Sequence, residues 1–160
     1  LGVPSIVVDG EAVSSSVIRI AIVSGNCELA AKMLGRNYSI SGVVANGEKR
    51  GREIGFPTAN IDPEFAVTVP DNGIYATIAE VDGNNHSAAT SIGVRPTFET
   101  DGGRTIEAFL LDFDGDVYTK RLRLEFVKRL RSEVAFETVE QLIEQMNKDV
   151  EQTREILAKT

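Results

Sequence analysis

Lys120-Arg-Leu-Arg-Leu-Glu-Phe-Val127 alternates with a period of two: Leu122, Leu124 and Phe126 point one way, Arg121, Arg123 and Glu125 the other. That alternation predicts a strand with one buried and one wetted face. Outward from it, Ser39 to Ala45, Gly73 to Val81, Asn85 to Ile92 and Arg104 to Phe113 read the same way. Asn72-Gly73, Asp101-Gly-Gly103 and Asp114-Gly-Asp116 are turn material, and Asp82-Gly-Asn84 predicts a hairpin between two of the strands. No helical pattern long enough to serve as a crossover separates them, which argues against a parallel sheet. A closed or nearly closed antiparallel barrel leaves no exposed edge.

The two ends are helical. Ser14 to Ser16 offer caps to Val17–Val23, and Asn26 caps a second short helix that Gly35 ends. Ahead of them, Ser5 to Val8 is a short β-like run closed by the Asp9-Gly10 turn. These short helices lack a large apolar face and must dock on the rest. From near Glu137, Val139, Leu142, Ile143, Met146, Val150, Thr153 and Leu157 recur at helical spacing, predicting a helix of about twenty residues laid against the barrel.

The 160 residues suit one domain with a small appendage, and 42% apolar content fills a core. One cysteine, Cys27, excludes an internal disulfide framework, and one histidine, His86, excludes a histidine-built zinc site. Both read as structural. No apolar stretch approaches the roughly eighteen residues of a membrane span, and nothing at the N-terminus resembles a signal peptide. A cytosolic setting is the expectation.

The formal charge is −7, so a local knot of cations among glycines stands out. Gly47, Lys49, Arg50, Gly51, Arg52 and Gly55 lie just before Pro57, Thr58 and Asn60. Glycine lets backbone N–H groups approach an anion, and arginine adds bidentate contacts to phosphate oxygens. Thr58 and Asn60, two apart on an extended chain, offer neutral oxygens that suit magnesium. The alternative is a Pro-stiffened loop in which Asn60 satisfies nearby backbone. Glu107 shares a strand face with Phe109, Leu111 and Phe113, where partial desolvation would raise its pKa toward a useful base. Its alternative is that Ile106, Ala108 and Leu110 form the buried face. Arg95 lies in a loop and reads either as a phosphate contact or as a surface ion-pair partner. Lys120, Arg121, Arg123, Lys128, Arg129 and Arg131 form a second cationic run, but without the interleaved aromatics of a nucleic-acid face. No Walker-type phosphate loop occurs.

Gly47-Glu-Lys-Arg-Gly-Arg-Glu-Ile-Gly-Phe-Pro-Thr-Ala-Asn60, Asn72-Gly-Ile-Tyr75, Ser91-Ile-Gly-Val-Arg-Pro-Thr-Phe98, Thr105-Ile-Glu107 and Leu122-Arg-Leu-Glu-Phe126 resemble riboflavin kinase in order and spacing. The likeness is to the kinase module of bacterial bifunctional riboflavin kinase/FAD synthetases, over about Leu34 to Leu157. It implies a mainly β fold: a six-stranded antiparallel Greek-key barrel with a long C-terminal helix and short N-terminal helices. It also implies transfer of the γ-phosphoryl group of ATP to the 5′-hydroxyl of riboflavin, giving FMN and ADP. By position, Gly47, Lys49, Arg50, Gly51, Arg52, Gly55, Pro57 and Asn72 would meet ATP and its phosphates. Thr58 and Asn60 would hold Mg²⁺, and Glu107 would be the catalytic base. Arg95, Pro96, Thr97 and Phe98 would belong to the flavin-binding loop, and the start of the last helix to the same surface.

Val3-Pro-Ser-Ile-Val-Val-Asp-Gly10 and Val13-Ser-Ser-Ser-Val-Ile-Arg19 resemble the tail of the adenylyltransferase domain in those proteins. The resemblance thus divides the chain into a remnant with linker helices, 1–35, and a kinase domain, 36–160, attached to an adenylyltransferase in a full-length protein. The histidine-bearing phosphate motif of that neighbour is not here, so no FAD synthesis is expected. Two departures stand out: Phe109 replaces a histidine common in the family, and Asp112-Phe-Asp-Gly-Asp-Val-Tyr118 replaces a shorter turn. The expected meeting point of the glycine-arginine loop, Thr58, Asn60 and Glu107 is the barrel mouth. Small-molecule substrates, with no nucleic acid and no membrane, are the expected partners. A non-catalytic flavin- or RNA-binding barrel is the alternative.

Overall fold

A computed structural model describes residues 2–45, 50–94 and 103–160, apart from the side chains at positions 50 and 51. The chain opens with a two-strand hairpin, β1 (Val7–Val8) and β2 (Glu11–Ala12). Asp9 and Gly10 turn it, both at positive φ, the backbone that a tight hairpin needs. Helix α1 (Ser15–Val23) starts where the Ser14 hydroxyl accepts from the Val17 amide, and α2 (Cys27–Leu34) where Asn26 accepts from Leu29. Gly35, at φ 74°, ends α2 in the left-handed region. The helices bury Ala21, Ile22 and Ala30 together with Tyr38, and Cys27 reaches into the barrel core.

Strands β3 (Tyr38–Ala45), β4 (Ala59–Pro63), β5 (Gly73–Val81), β6 (Asn84–Val94), β7 (Arg104–Leu110) and β8 (Arg121–Arg131) close into an antiparallel barrel in the order β3-β4-β7-β6-β5-β8. β5, β6 and β7 follow one another, and β8 returns beside β5, which is a Greek key. A one-turn helix α3 (Arg50–Glu53) precedes β4, and α4 (Val139–Ala158) packs across β5, β6 and β8. Leu122, Leu124 and Phe126 are fully buried, as the alternation requires. Two core threonines satisfy each other: the hydroxyls of Thr77 and Thr90 are 2.8 Å apart, and Thr77 also donates to the Ala88 carbonyl.

Periodicity found five of the six strands. β4 escaped it because five residues beginning after Pro57 carry too short a pattern. β7 is shorter than its apolar run: Asp112 adopts φ 54° and the strand stops at Leu110. The β5–β6 hairpin turns at Asp82 and Gly83, as expected. His86 stacks edge-on against Phe113, with ring centroids 4.9 Å apart.

Candidate active site

Ladder register builds the site. Ile74 pairs with Ser91, Ser91 with Glu107, and Glu107 with Asn60, so one row crosses four strands on one face. That face is the outside of the barrel: Ile106, Ala108 and Leu110 are the buried residues of β7, while Glu107 and Phe109 alternate outward. The outward face is nevertheless half-buried at Glu107, and Asn60 is only 8% exposed.

Thr58 joins Glu107 through packing. Gly55, at φ 87°, turns the chain, and the buried Phe56 ring meets Phe109 edge-to-face at 5.3 Å. Such aromatic pairs add about 0.5–1.5 kcal/mol beyond their buried area. Thr58, Glu107 and Phe109 then line one cavity of about 630 Å³, within the range of small-molecule sites. Asn60 is outside the lining, directly across the ladder from Glu107. Leu142, Met146 and Val150 of α4 form the apolar opposite wall. The meeting place is therefore a groove between the barrel wall and α4 rather than the barrel mouth, because the outer face alone carries the polar row.

One end of the cavity is charged. Arg131 donates from Nε to Asp149 Oδ1 at 2.9 Å and from Nη2 to Oδ2 at 2.7 Å, and Gln145 donates to the same carboxylate at 3.0 Å. Asp149 keeps 5% of its side-chain exposure and Arg131 keeps 19%. This fork ties α4 to the end of β8. Phe136 lies against the Arg131 guanidinium, 5.9 Å from it. Arg154 of α4 forms a second fork with Asp112, holding that exposed carboxyl below its ordinary pKa.

Asn72 stands just before β5, outside the cavity lining, with its side-chain oxygen taken by Arg104. Arg52 is exposed on α3. Gly47, Lys49, Arg95, Pro96, Thr97 and Phe98 lie outside the described residues, as does the side chain of Arg50, while the Gly51 backbone belongs to α3. The basic run is largely paired: Lys120 with Asp82, Arg121 with Glu64, Arg123 with Glu125 and Glu80, and Arg129 with Asp71. Burial, helped by Glu28, pushes the Cys27 thiol up to about 12, which removes it as a nucleophile. Sequence reasoning missed Ser91, Arg131, Glu133, Phe136 and Asp149 as lining residues. Only Asp149 carried a signal, a carboxylate set within the apolar stripe of α4.

Residues 34–157 match the family Flavokinase, riboflavin kinase. The chain belongs to the riboflavin kinase family. A bifunctional riboflavin kinase/FMN adenylyltransferase of Bacillus subtilis is 44% identical over 139 residues, 86% of this chain and 44% of that protein. An RNA-binding riboflavin kinase, RibR, of the same species is 36% identical over 111 residues, 69% of this chain and 47% of that one. Among solved structures, a Streptococcus pneumoniae chain described as a macrolide-efflux protein superposes with a TM-score of 0.89 at 35% identity, over 95% of this chain and 50% of that one. A riboflavin kinase from Trypanosoma brucei gives 0.56 at 26%, over 76% and 80%. This flavokinase-family chain spans about half the length of the first of these relatives. No described helix is long and apolar enough to cross a membrane.

Proposed function

We propose that this chain transfers the γ-phosphoryl group of ATP to the 5′-hydroxyl of riboflavin. The observation that carries the reading is the convergence of Thr58 and Glu107 on one cavity, with Asn60 opposite Glu107. Glu107 takes the hydroxyl proton, the freed oxygen attacks the γ-phosphorus, and the bond to the β–γ bridging oxygen breaks, leaving FMN and ADP. Such chemistry rests on positioning and charge neutralisation. The apolar wall of Leu142, Met146 and Val150 suits a flat, largely apolar ring, and the loop of Arg95, Pro96, Thr97 and Phe98 belongs over the same flavin.

No group of three or more acidic, histidine or cysteine ligands occurs among the described residues. Mg²⁺ often takes few protein oxygens and completes its shell with phosphates and water. Thr58 and Asn60 would hold the ion, which when bound would neutralise phosphate charge. Gly47, Lys49, Arg50, Gly51, Arg52, Gly55, Pro57 and Asn72 are assigned to ATP and its phosphates.

The division at 35/36 and attachment to an adenylyltransferase domain in a longer cytosolic protein belong to the same reading. The paired state of the basic strand favours it over an RNA-binding barrel. A coupled ADP-release assay with riboflavin, ATP and Mg²⁺ tests it. Glu107→Gln should lose at least about a hundredfold in kcat, in line with general-base losses, while still binding riboflavin. A fully active Glu107→Gln protein removes Glu107 as the base, and absence of magnesium-dependent turnover in the wild type removes the kinase reading.

A further inference from the structure

The ladder row that holds Glu107 ends on a guanidinium. Arg131 pairs with Ile74, Ile74 with Ser91, and Ser91 with Glu107, and all four residues line the cavity. Arg131 and Glu107 therefore stand three strand spacings apart, about 14 Å along the sheet. The Arg131 guanidinium is fixed in its plane: Nε and Nη2 hold the Asp149 carboxylate, Nη1 donates to the Ser132 carbonyl at 3.1 Å, and Gln145 braces the carboxylate from the same helix. A guanidinium carries five N–H groups. Three are spent here, which leaves one on each terminal nitrogen, and among the described residues nothing accepts from those two. Stability does not account for the pair, since a buried fork gains little over apolar groups of the same volume.

We infer that Arg131 is a specificity-determining residue of the flavin site, donating to a carbonyl oxygen of riboflavin's pyrimidine ring. The inference deepens the kinase reading and rests on its placing of the 5′-hydroxyl at Glu107. From that oxygen the ribityl chain and ring lead to either pyrimidine carbonyl through about ten bonds, and an extended chain gains roughly 1.2 Å per bond. The resulting span of about 12 Å matches the row once both side chains reach inward. Between the two ends lie Ile74, Ser91 and the apolar wall of α4. Arg131 is the one cation among the described lining residues, and Asp149 cancels its charge, so it offers oriented donors that suit a neutral acceptor better than a phosphate. The opposite, dimethylbenzene edge of the flavin would leave both N–H groups dry and unpaired.

The test compares riboflavin with 2-thioriboflavin and 4-thioriboflavin, in which sulfur, a poor acceptor, replaces one carbonyl oxygen. Calorimetric titration reads binding in the wild type and in Arg131→Met/Asp149→Leu, which leaves no charge stranded. The wild type should bind one of the two analogues at least about tenfold more weakly than riboflavin, the loss of a hydrogen bond to a charged donor. The double variant should bind riboflavin about tenfold more weakly than the wild type does and no longer distinguish it from that analogue. A merely displaced helix would weaken all three flavins alike and keep the distinction, which would overturn the inference. Wild-type affinity for riboflavin in the double variant, or a loss confined to MgATP, overturns it as well. Equal binding of all three flavins by the wild type does so too, and needs no variant to fold. A wild type that binds riboflavin without phosphorylating it defeats the kinase reading alone, and the analogue comparison still judges Arg131; one that binds no flavin overturns both.

Discussion

Replacing Asp149 with alanine should destabilise the protein by about 3 kcal/mol. The carboxylate is almost wholly buried and takes three hydrogen bonds, two from Arg131 and one from Gln145. Removing one partner of a buried pair costs about 3–5 kcal/mol, because the other charge stays desolvated and unpaired. Arg131 keeps 19% of its side-chain exposure and can recover some hydration, which places the loss at the lower end. For 160 residues the unfolding entropy is about 0.34 kcal/mol/K near 60 °C, so Tm should fall by about 9 °C. The wall of Leu142, Met146 and Val150 rides on the same helix, so the KM for riboflavin should rise as well. Thermal unfolding followed by circular dichroism measures the first effect and steady-state kinetics the second. The pair Arg131→Met with Asp149→Leu should recover most of the lost stability, since neither charge is then stranded. A loss below about 1 kcal/mol for Asp149→Ala, the size of a surface ion pair, would refute the clamp; apolar packing alone would then hold α4.

Gly42→Ala should cost more than about 2 kcal/mol: the new Cβ would lie 2.2 Å from the Asp62 carbonyl oxygen, a backbone atom of the neighbouring strand that cannot step aside. Denaturant unfolding reads it, and a near-neutral variant would mean that β3 and β4 can part without penalty. Cys27 should resist thiol reagents at pH 8 in the folded protein and react fully in denaturant. Its thiol titrates near 12 when folded, against 9.0 ordinarily, so the protonated form is favoured by folding. Its stabilisation is complete below pH 9 and is lost as pH rises toward 12. A stability profile rising over that window would contradict this.

Strand alternation was legible wherever one face meets the core and the other meets water. Leu122, Leu124 and Phe126 announced themselves for that reason, and so did the stripe of α4. The alternation could not say which face of β7 mattered chemically. Glu107 and Phe109 belong to the outer wall, where the remote Phe56 ring packs on Phe109 and α4, far along the chain, lines the same cavity. β4 escaped notice because five residues after a proline carry no readable period, although its Asn60 is the residue that meets Glu107.

The order of strands, turns and caps, the apolar faces and the candidate chemistry at Thr58, Asn60 and Glu107 belong to the linear chain, since each depends on neighbours within a few positions. Which of them touch does not. The pairing of Asn60 with Glu107 joins residues 47 apart in the chain, and the fork of Arg131 with Asp149 ties a strand end to a helix. Barrel closure and helix docking decided those meetings, because register and burial arise from contacts among remote segments that no local pattern records.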